Sequence, residues 1–374
     1  MIIRIEELQS AANKILAAVD SNNLSVLTET LQLKTFNRAL YISVTNREYF
    51  AQVRIEMDGD VDFHATVNAN LFLKLVSQIT TDTIQLDVVD TTLVVKGNGT
   101  YKLPLIFDGD QLLALPEITI GNPTVDFEID SKDLLSILQY NSMELKKGII
   151  TKPIQKLYYM DENGAVTFTT GACVNSFTLE KPVKVLLNDR LVKLFKLFKE
   201  GKVKFTLGYD ALSNDIIQTK VRFASDDIII TAILSCDDSM LRSFPVNAVR
   251  GRATAAYPYN INVNRESLLQ TISRLLLFTS GGNSKDLVKP YSMFEFKRDS
   301  VVIYDKNKEN KEEIYYTNTS CDLDDPYVAT IDLLDMKYTL ETCSEQYVSI
   351  SFGDGFALVL SRGNVRNVIP ECEA

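Results

Sequence analysis

Six times along this chain an alternating, strand-like run leads into a polar residue and then an amphipathic helix. The copies are IRIEELQSAANKIL from Ile3, ATVNANLFLKLV from Ala65, FEIDSKDLLSIL from Phe127, VKVLLNDRLVKLFKLFKEGK from Val183, INVNRESLLQTI from Ile261 and ATIDLLDMKYTL from Ala329. Asn68, Asp130, Asn264 and Asp332 stand where each strand hands over to its helix, and Asn188 aligns after a one-residue slip. Asn and Asp side chains accept hydrogen bonds from the free N–H groups of a first helical turn, which predicts helix starts there. The first copy, with Glu6, fits least well.

Meandering strands follow the helices. Thr83 to Leu103 alternates on both sides of Gly97-Asn98-Gly99, and Val203 to Leu234 and Tyr347 to Ile369 repeat the pattern. Helix starts recur every 60 to 75 residues or so, and two units make a domain-sized block. The expected fold class is therefore α+β, in three tandem blocks spanning 1–122, 123–258 and 259–374, each with two helices on antiparallel sheet. Short linkers are expected at Gly121-Asn122-Pro123 and near Tyr257-Pro258-Tyr259. Lys306 to Glu313, KNKENKEE, reads as a solvated loop within a hairpin.

Little in the chain suggests catalysis. His64 is the one histidine in 374 residues, which disfavours Ser-His or Cys-His nucleophiles and multi-histidine metal sites. Neither GxxxxGK[ST] nor a helix-opening GxGxxG is present, so no cofactor is expected. Acid clusters occur at Asp58/Asp60/Asp62, Asp237/Asp238 and Asp322/Asp324/Asp325. Their default reading is solvated turns; the alternative is a metal-dependent nuclease using Asp322, Asp324 and Asp325. Cys173, Cys236, Cys321, Cys343 and Cys372 are odd in number, widely spaced and free of CxxC pairs, which predicts reduced thiols in a cytoplasm. No run approaches the roughly 18 apolar residues of a membrane span, and MIIRIEEL lacks a signal-peptide layout.

The informative charges are basic. With 39 basic against 49 acidic residues the net charge is −10, so any polyanion site has to be local. In the fourth copy a helix is expected from Asn188 to Lys202, with Leu191, Leu194, Phe195 and Phe198 on one face and Arg190, Lys193, Lys196 and Lys199 on the other, followed by Lys202. The other copies carry Lys14, Lys74, Lys132, Lys146, Lys147, Arg265, Arg274 and Lys337 on their helices or helix ends. Such an array would neutralise DNA phosphates without reading bases. A repeat protein with no nucleic-acid role stays open as a further alternative.

Over essentially its full length the chain resembles the bacterial sliding clamp, the β subunit of the replicative DNA polymerase, or a phage relative. The resemblance is carried, in order, by LTETLQLKTFNRALYISVTNREYFAQV, DFHATVNANLFLKLV, FEIDSKDLLSIL, VTFTTGACV, SCDDSMLRSFPVNAV, YNINVNRESLL and ALVLSRGNVRNVIP. It implies three clamp domains forming half of a closed, head-to-tail homodimeric ring, acting in the cytoplasm of a bacterium or a phage-infected host. The implied partners are double-stranded DNA held without sequence preference, the replicative DNA polymerase, a clamp loader and other clamp-motif proteins; no membrane and no enzymatic activity are implied. A peptide of the Gln-Leu-x-Leu-Phe type would enter a cleft including Ile154, Thr169, Gly171, Val174, Phe244, Pro245, Val249, Val368, Ile369 and Pro370. The ring seam would use Tyr101, Leu103, Leu277 and Phe278. The chain departs from the family at Ala172-Cys173-Val174, where His-Arg-Leu is usual, and in its tail from Ile369 to Ala374, which replaces one ending in Met, Arg and Leu. Asn23 and Ser77 stand near positions where DNA-touching arginines are usual.

Overall fold

A computed structural model describes residues 1–19, 25–146, 150–211, 217–234, 238–279, 290–317 and 321–372. The chain forms two compact units, one of residues 1–135 and 190–235, the other of 136–189 and 236–374. Every strand pairing is antiparallel, as short meanders predict.

The first unit holds an eight-stranded sheet in the order β11 (Asn122–Asp130), β16 (Lys202–Ala211), β17 (Ile217–Ala224), β18 (Ile228–Ile233), β4 (Tyr49–Glu56), β3 (Ala39–Thr45), β2 (Thr30–Phe36), β5 (His64–Asn68). Its halves meet where Ile228 of β18 lies opposite Val53 of β4. A four-stranded sheet runs β1 (Ile2–Arg4), β6 (Thr83–Val89), β7 (Thr92–Lys96), β8 (Thr100–Pro104), and β9 (Phe107–Asp108) pairs with β10 (Gln111–Leu112). The stretch 83–103 thus makes two turns instead of one, the extra reversal being at Asp90, which takes a positive φ of 51°. Helices α1 (Ile5–Leu16) and α2 (Ala69–Gln78) pack together, with Leu8, Ile15, Phe72 and Val76 buried.

The second unit repeats this layout. Its eight-stranded sheet runs β15 (Lys184–Asn188), β12 (Leu157–Asp161), β13 (Gly164–Phe168), β14 (Ala172–Asn175), β26 (Val365–Pro370), β25 (Ala357–Arg362), β24 (Tyr347–Phe352), β19 (Tyr259–Asn264). A four-stranded sheet runs β22 (Lys311–Tyr315), β21 (Ser300–Tyr304), β20 (Tyr291–Phe296), β23 (Tyr327–Asp332). Part of the charged stretch 306–313 is therefore strand, because Lys311, Glu312 and Glu313 pair with β21 instead of extending the loop.

Each of the six repeated segments is a strand running into a helix. After α1 and α2 come α3 (Ser131–Ser136), continued by a π-turn over Ile137–Asn141 into α4 (Ser142–Lys146), and then α5 (Asp189–Lys193). Two helices absent from the repeat pattern follow, α6 (Asp238–Ser243) and α7 (Val246–Ala253), before α8 (Arg265–Thr279) and α9 (Leu333–Glu341). The side chains of Asn68, Asp130, Asn264 and Asp332 accept from Leu71 N at 3.0 Å, Lys132 N at 3.0 Å, Ser267 N at 2.9 Å and Leu334 N at 2.9 Å. Caps of this kind stabilise a helix by about 1 kcal/mol each. Arg4, which precedes α1, makes no such bond.

The fourth helix is shorter than its residues suggest. It ends in a 3-10 turn over Leu194–Leu197, Gly201 turns the chain at φ +85°, and Lys202 already begins β16. Leu191, Leu194, Phe195 and Phe198 are buried and Arg190, Lys193, Lys196 and Lys199 exposed, as the two-faced pattern predicts. Phe198, at φ −90° and ψ 86°, has already left helical geometry.

Candidate functional site

An apolar seam lies in the second unit where β14 meets β26, with Ala172 opposite Val368 and Val174 opposite Arg366. Strand alternation sends Val166, Ala172, Val174, Val359 and Val368 to one face, where Leu157, Tyr159, Leu186, Phe244, Ala253 and Ala357 join them. Ile154, Phe168, Val246 and Val249 pack on this cluster while keeping part of their surface in solvent. Phe244 anchors it, stacked on Tyr159 at 5.1 Å between centroids and meeting Phe168 edge-on at 5.1 Å.

The turn between β13 and β14 closes one end of the seam. Thr169 N donates to Gly171 O at 2.9 Å, and Gln155 Nε2 donates to Thr169 O at 3.0 Å. Thr169 Oγ1 donates at 2.7 Å to the carboxylate of Glu144, a buried side chain in the middle of α4. Gly171 is required by close approach: a Cβ there would stand 2.5 Å from Val368 O and 3.4 Å from the Pro370 ring.

Helix α7 forms a wall of the seam and is tied to both halves of the sheet. Arg250 donates from Nη1 and Nη2 to the two carboxylate oxygens of Asp161, at 2.6 Å each. Arg252 pairs with Asp354 in the turn after β24 and lies 5.2 Å from the Phe356 ring centre. Burial, with Asp161 beside it, pushes the Tyr159 hydroxyl up to about 12, and the bonds to Asp161 hold the Arg250 guanidinium above its usual range.

Of the residues expected in the cleft, Ile154, Val174, Phe244, Val249 and Val368 come together in this seam. Thr169, Gly171 and Pro370 border it, and Pro245 is the half-buried residue before α7. Ile369 does not join them. Next to Val368 on a strand, it points to the opposite face and packs with Ile350, Phe352, Leu358 and Leu360 in a separate core. Tyr159, Phe168, Asp161 and Arg250 escaped sequence reasoning, since each reads alone as core or as an ordinary surface charge. The pairing of Asp161 with Arg250 crosses 89 positions of sequence.

The expected DNA-facing residues divide by their surroundings. Lys74, Lys146, Lys193, Lys196 and Lys199 are exposed; Lys196 and Lys199 make no ion pair among the described residues. Arg190 pairs with Glu48 at 3.3 Å, Lys202 with Asp130 at 3.6 Å and Arg265 with Glu266 at 2.9 Å. Arg274 is held by both carboxylate oxygens of Glu312, so its charge is compensated within the unit. Lys147 lies outside the described residues, as does Asn23.

Of the expected seam residues, Leu277 and Phe278 are the most exposed, at 73% and 60%, on the last turn of α8, and Tyr101 is partly exposed on edge strand β8. Leu103 is already buried within its own four-stranded sheet, where it lies opposite Leu93, and so has no side-chain surface to offer. Asp322, Asp324 and Asp325 are exposed on a turn, and no group of three potential metal ligands gathers among the described residues. No helix among them is long and apolar enough to cross a membrane.

No protein-family model matches the sequence. The β sliding clamps of two Helicobacter pylori strains are 23% identical to it over 210 residues, 52% of this chain and 55% of each relative. The chain thus spans about half the length of the curated relatives it matches. Solved structures extend the likeness to the whole chain. The Pseudomonas aeruginosa sliding clamp bound to griselimycin superposes with a TM-score of 0.80 at 14% identity, covering 100% of this chain and 99% of that one. The polymerase III β chain of Streptococcus pneumoniae gives 0.79 at 16% identity with the same coverage, and the H. pylori β clamp 0.78 at 13%, covering 100% of both chains. From end to end, this chain has the fold of the bacterial β sliding clamps.

Proposed function

We propose that the protein is a DNA sliding clamp, a processivity factor that encircles duplex DNA and tethers a replicative polymerase, with no catalytic step of its own. The observation that carries this reading is the composition of the sheets. Each eight-stranded sheet combines four strands from one sequence block with four from the next, β11, β16, β17 and β18 with β2 to β5, and β12 to β15 with β19 and β24 to β26. That arithmetic supports three clamp domains at 1–122, 123–258 and 259–374. It leaves the four-stranded sheets of the first and third with open edges, at β1 and β8 in one and at β22 and β23 in the other. Unpaired edges are templates for pairing with another chain, and a second copy offering the complementary edge would complete a head-to-tail ring. Tyr101 beside one edge and Leu277 and Phe278 on α8 supply exposed apolar surface for it.

Contact with DNA falls to the exposed lysines, foremost Lys193, Lys196 and Lys199 with Lys74 and Lys146, and further to Arg190, Lys202, Arg265, Arg274 and Lys147. Charges of this kind attract phosphates in no fixed register, which suits sliding. Polymerase, clamp loader and other clamp-motif proteins would dock by an apolar peptide on the rim of the seam, where Ile154, Phe168, Val246 and Val249 keep surface in solvent while packing on the buried Phe244, Val174 and Val368, with Gly171 and Pro370 at its border.

The test is topological. The protein, at twice the 42.0 kDa chain mass, should stay on nicked circular DNA after loading and run off once the circle is cut. Equal retention on both forms overturns the proposal.

A further inference from the structure

At the border of the seam, Pro370 lies opposite Ala357, itself a member of the apolar cluster. The chain continues into Glu371, whose backbone N donates to Phe356 O at 2.9 Å and extends the pairing of β25 with β26. Two carboxylates stand near each other here, and they are differently occupied. Asp354 accepts from Phe356 N at 2.9 Å and Ala357 N at 3.1 Å, and its other oxygen pairs with Arg252. Glu371 is half-buried, and its carboxylate accepts from the Tyr327 hydroxyl at 2.6 Å, which in turn accepts from Gly355 N at 3.1 Å. No lysine or arginine pairs with Glu371 among the described residues, and burial, with Asp354 beside it, pushes its carboxyl above the usual range.

Partly buried carboxylates ordinarily find a cation or several donors, because desolvation is otherwise uncompensated. Beside this one stands Phe356, an aromatic ring 66% exposed at the tip of a turn held by Gly353 and Gly355 at positive φ. Arg252 already approaches that ring, so its surroundings accept a guanidinium. A carboxylate lacking a cation and an exposed aromatic face together match an ammonium or guanidinium group. An acidic ligand would meet repulsion from Glu371, whereas the charge of Asp354 is already taken up by Arg252.

We propose that Glu371 and the exposed ring of Phe356 form a subsite for a lysine or arginine flanking the apolar anchor of the docked peptide. This rests on the peptide-docking reading above and makes partner choice depend on charge next to the apolar core. A partner with a basic residue there is favoured, and one with an acidic residue is rejected.

The experiment measures fluorescence anisotropy of labelled Gln-Leu-Ser-Leu-Phe peptides with the intact protein. The peptides are unextended or carry Gly-Lys-Lys or Gly-Glu-Glu at either end. The lysine form should bind about tenfold more tightly than the glutamate form at one end, and Glu371→Gln should shrink that ratio to about twofold while leaving the unextended peptide unchanged. Phe356→Ala should reduce the lysine preference in part. Equal affinities of the two forms at both ends, or a preference untouched by Glu371→Gln, overturns the subsite. Failure of the unextended peptide to bind, or binding that survives Phe244→Ala, overturns the docking reading instead.

Discussion

Arg250 on α7 grips both carboxylate oxygens of Asp161 on β12, while Arg252, two residues on, reaches the other way to Asp354. The two pairs strap one short helix across the junction of β14 and β26. The Asp161 side chain is 5% exposed, so the strap is anchored on a carboxylate that water scarcely reaches. Removing Arg250 leaves that charge uncompensated, a change that costs about 3 kcal/mol in comparable sites. Arg250→Ala is expected to lower the urea midpoint accordingly and to weaken peptide docking. Asp161→Asn with Arg250→Ala together should recover part of the stability, since no unpaired carboxylate remains.

Gly171→Ala tests the close approach of the β13–β14 turn to β26. With Val368 O 2.5 Å from the new methyl group, the backbone has to move. A loss of about 1 to 3 kcal/mol follows from overpacking of this kind. The same shift should reduce peptide affinity more than it alters retention on circular DNA. Binding at the level of the unaltered protein contradicts this placement of Gly171.

Changing Lys193, Lys196 and Lys199 together to Gln should shorten the lifetime of the protein on circular DNA. Each phosphate contact contributes close to one unit to the slope of log affinity against log salt, so the slope should shrink by about 2 to 3. Thermal stability should stay nearly constant because all three side chains are exposed. A slope equal to that of the parent removes these lysines from the DNA surface.

Leu277→Asp should convert a dimer into a 42.0 kDa monomer by light scattering. The residue is 73% exposed, so the isolated chain loses little by the change. A dimer that persists points to an interface elsewhere.

His64 links pH to stability in the first unit. Its Nε2 lies 2.7 Å from Gln32 Nε2, and Gln32 Oε1 accepts from Leu115 N at 3.3 Å. For the amide to donate, the ring must be neutral and carry its proton on Nδ1. Burial, with Lys34 adding to it, lowers the pKa below the ordinary 6.5, against a smaller opposing effect of Asp62. A lowered folded-state value means the unfolded chain binds the proton first. Stability from this group is then complete above pH 6.5 and declines as the pH falls below it. Melting temperatures from pH 7.5 to 5 should fall less steeply for His64→Gln than for the parent; identical slopes contradict the linkage.

Much of the architecture was legible in the residues because it depends on local physics. The caps at Asn68, Asp130, Asn264 and Asp332 act on backbone groups two or three positions away, and strand alternation needs only the next-but-one neighbour. The seam is a different case. Val174 and Val368 are ordinary strand valines until β14 pairs with β26, and Ile369 is excluded from the seam by the strand's two-residue alternation once that pairing sets which face is which. Arg274 reads as a free cation on its helix until β22 brings Glu312 against it. By itself, then, the sequence determined the six strand-to-helix units, their caps and the exposed lysine row, since each follows from contacts within one turn of chain. Only the tertiary structure decided which charges are compensated and which apolar residues meet, because those outcomes depend on partners that long-range pairing alone brings together.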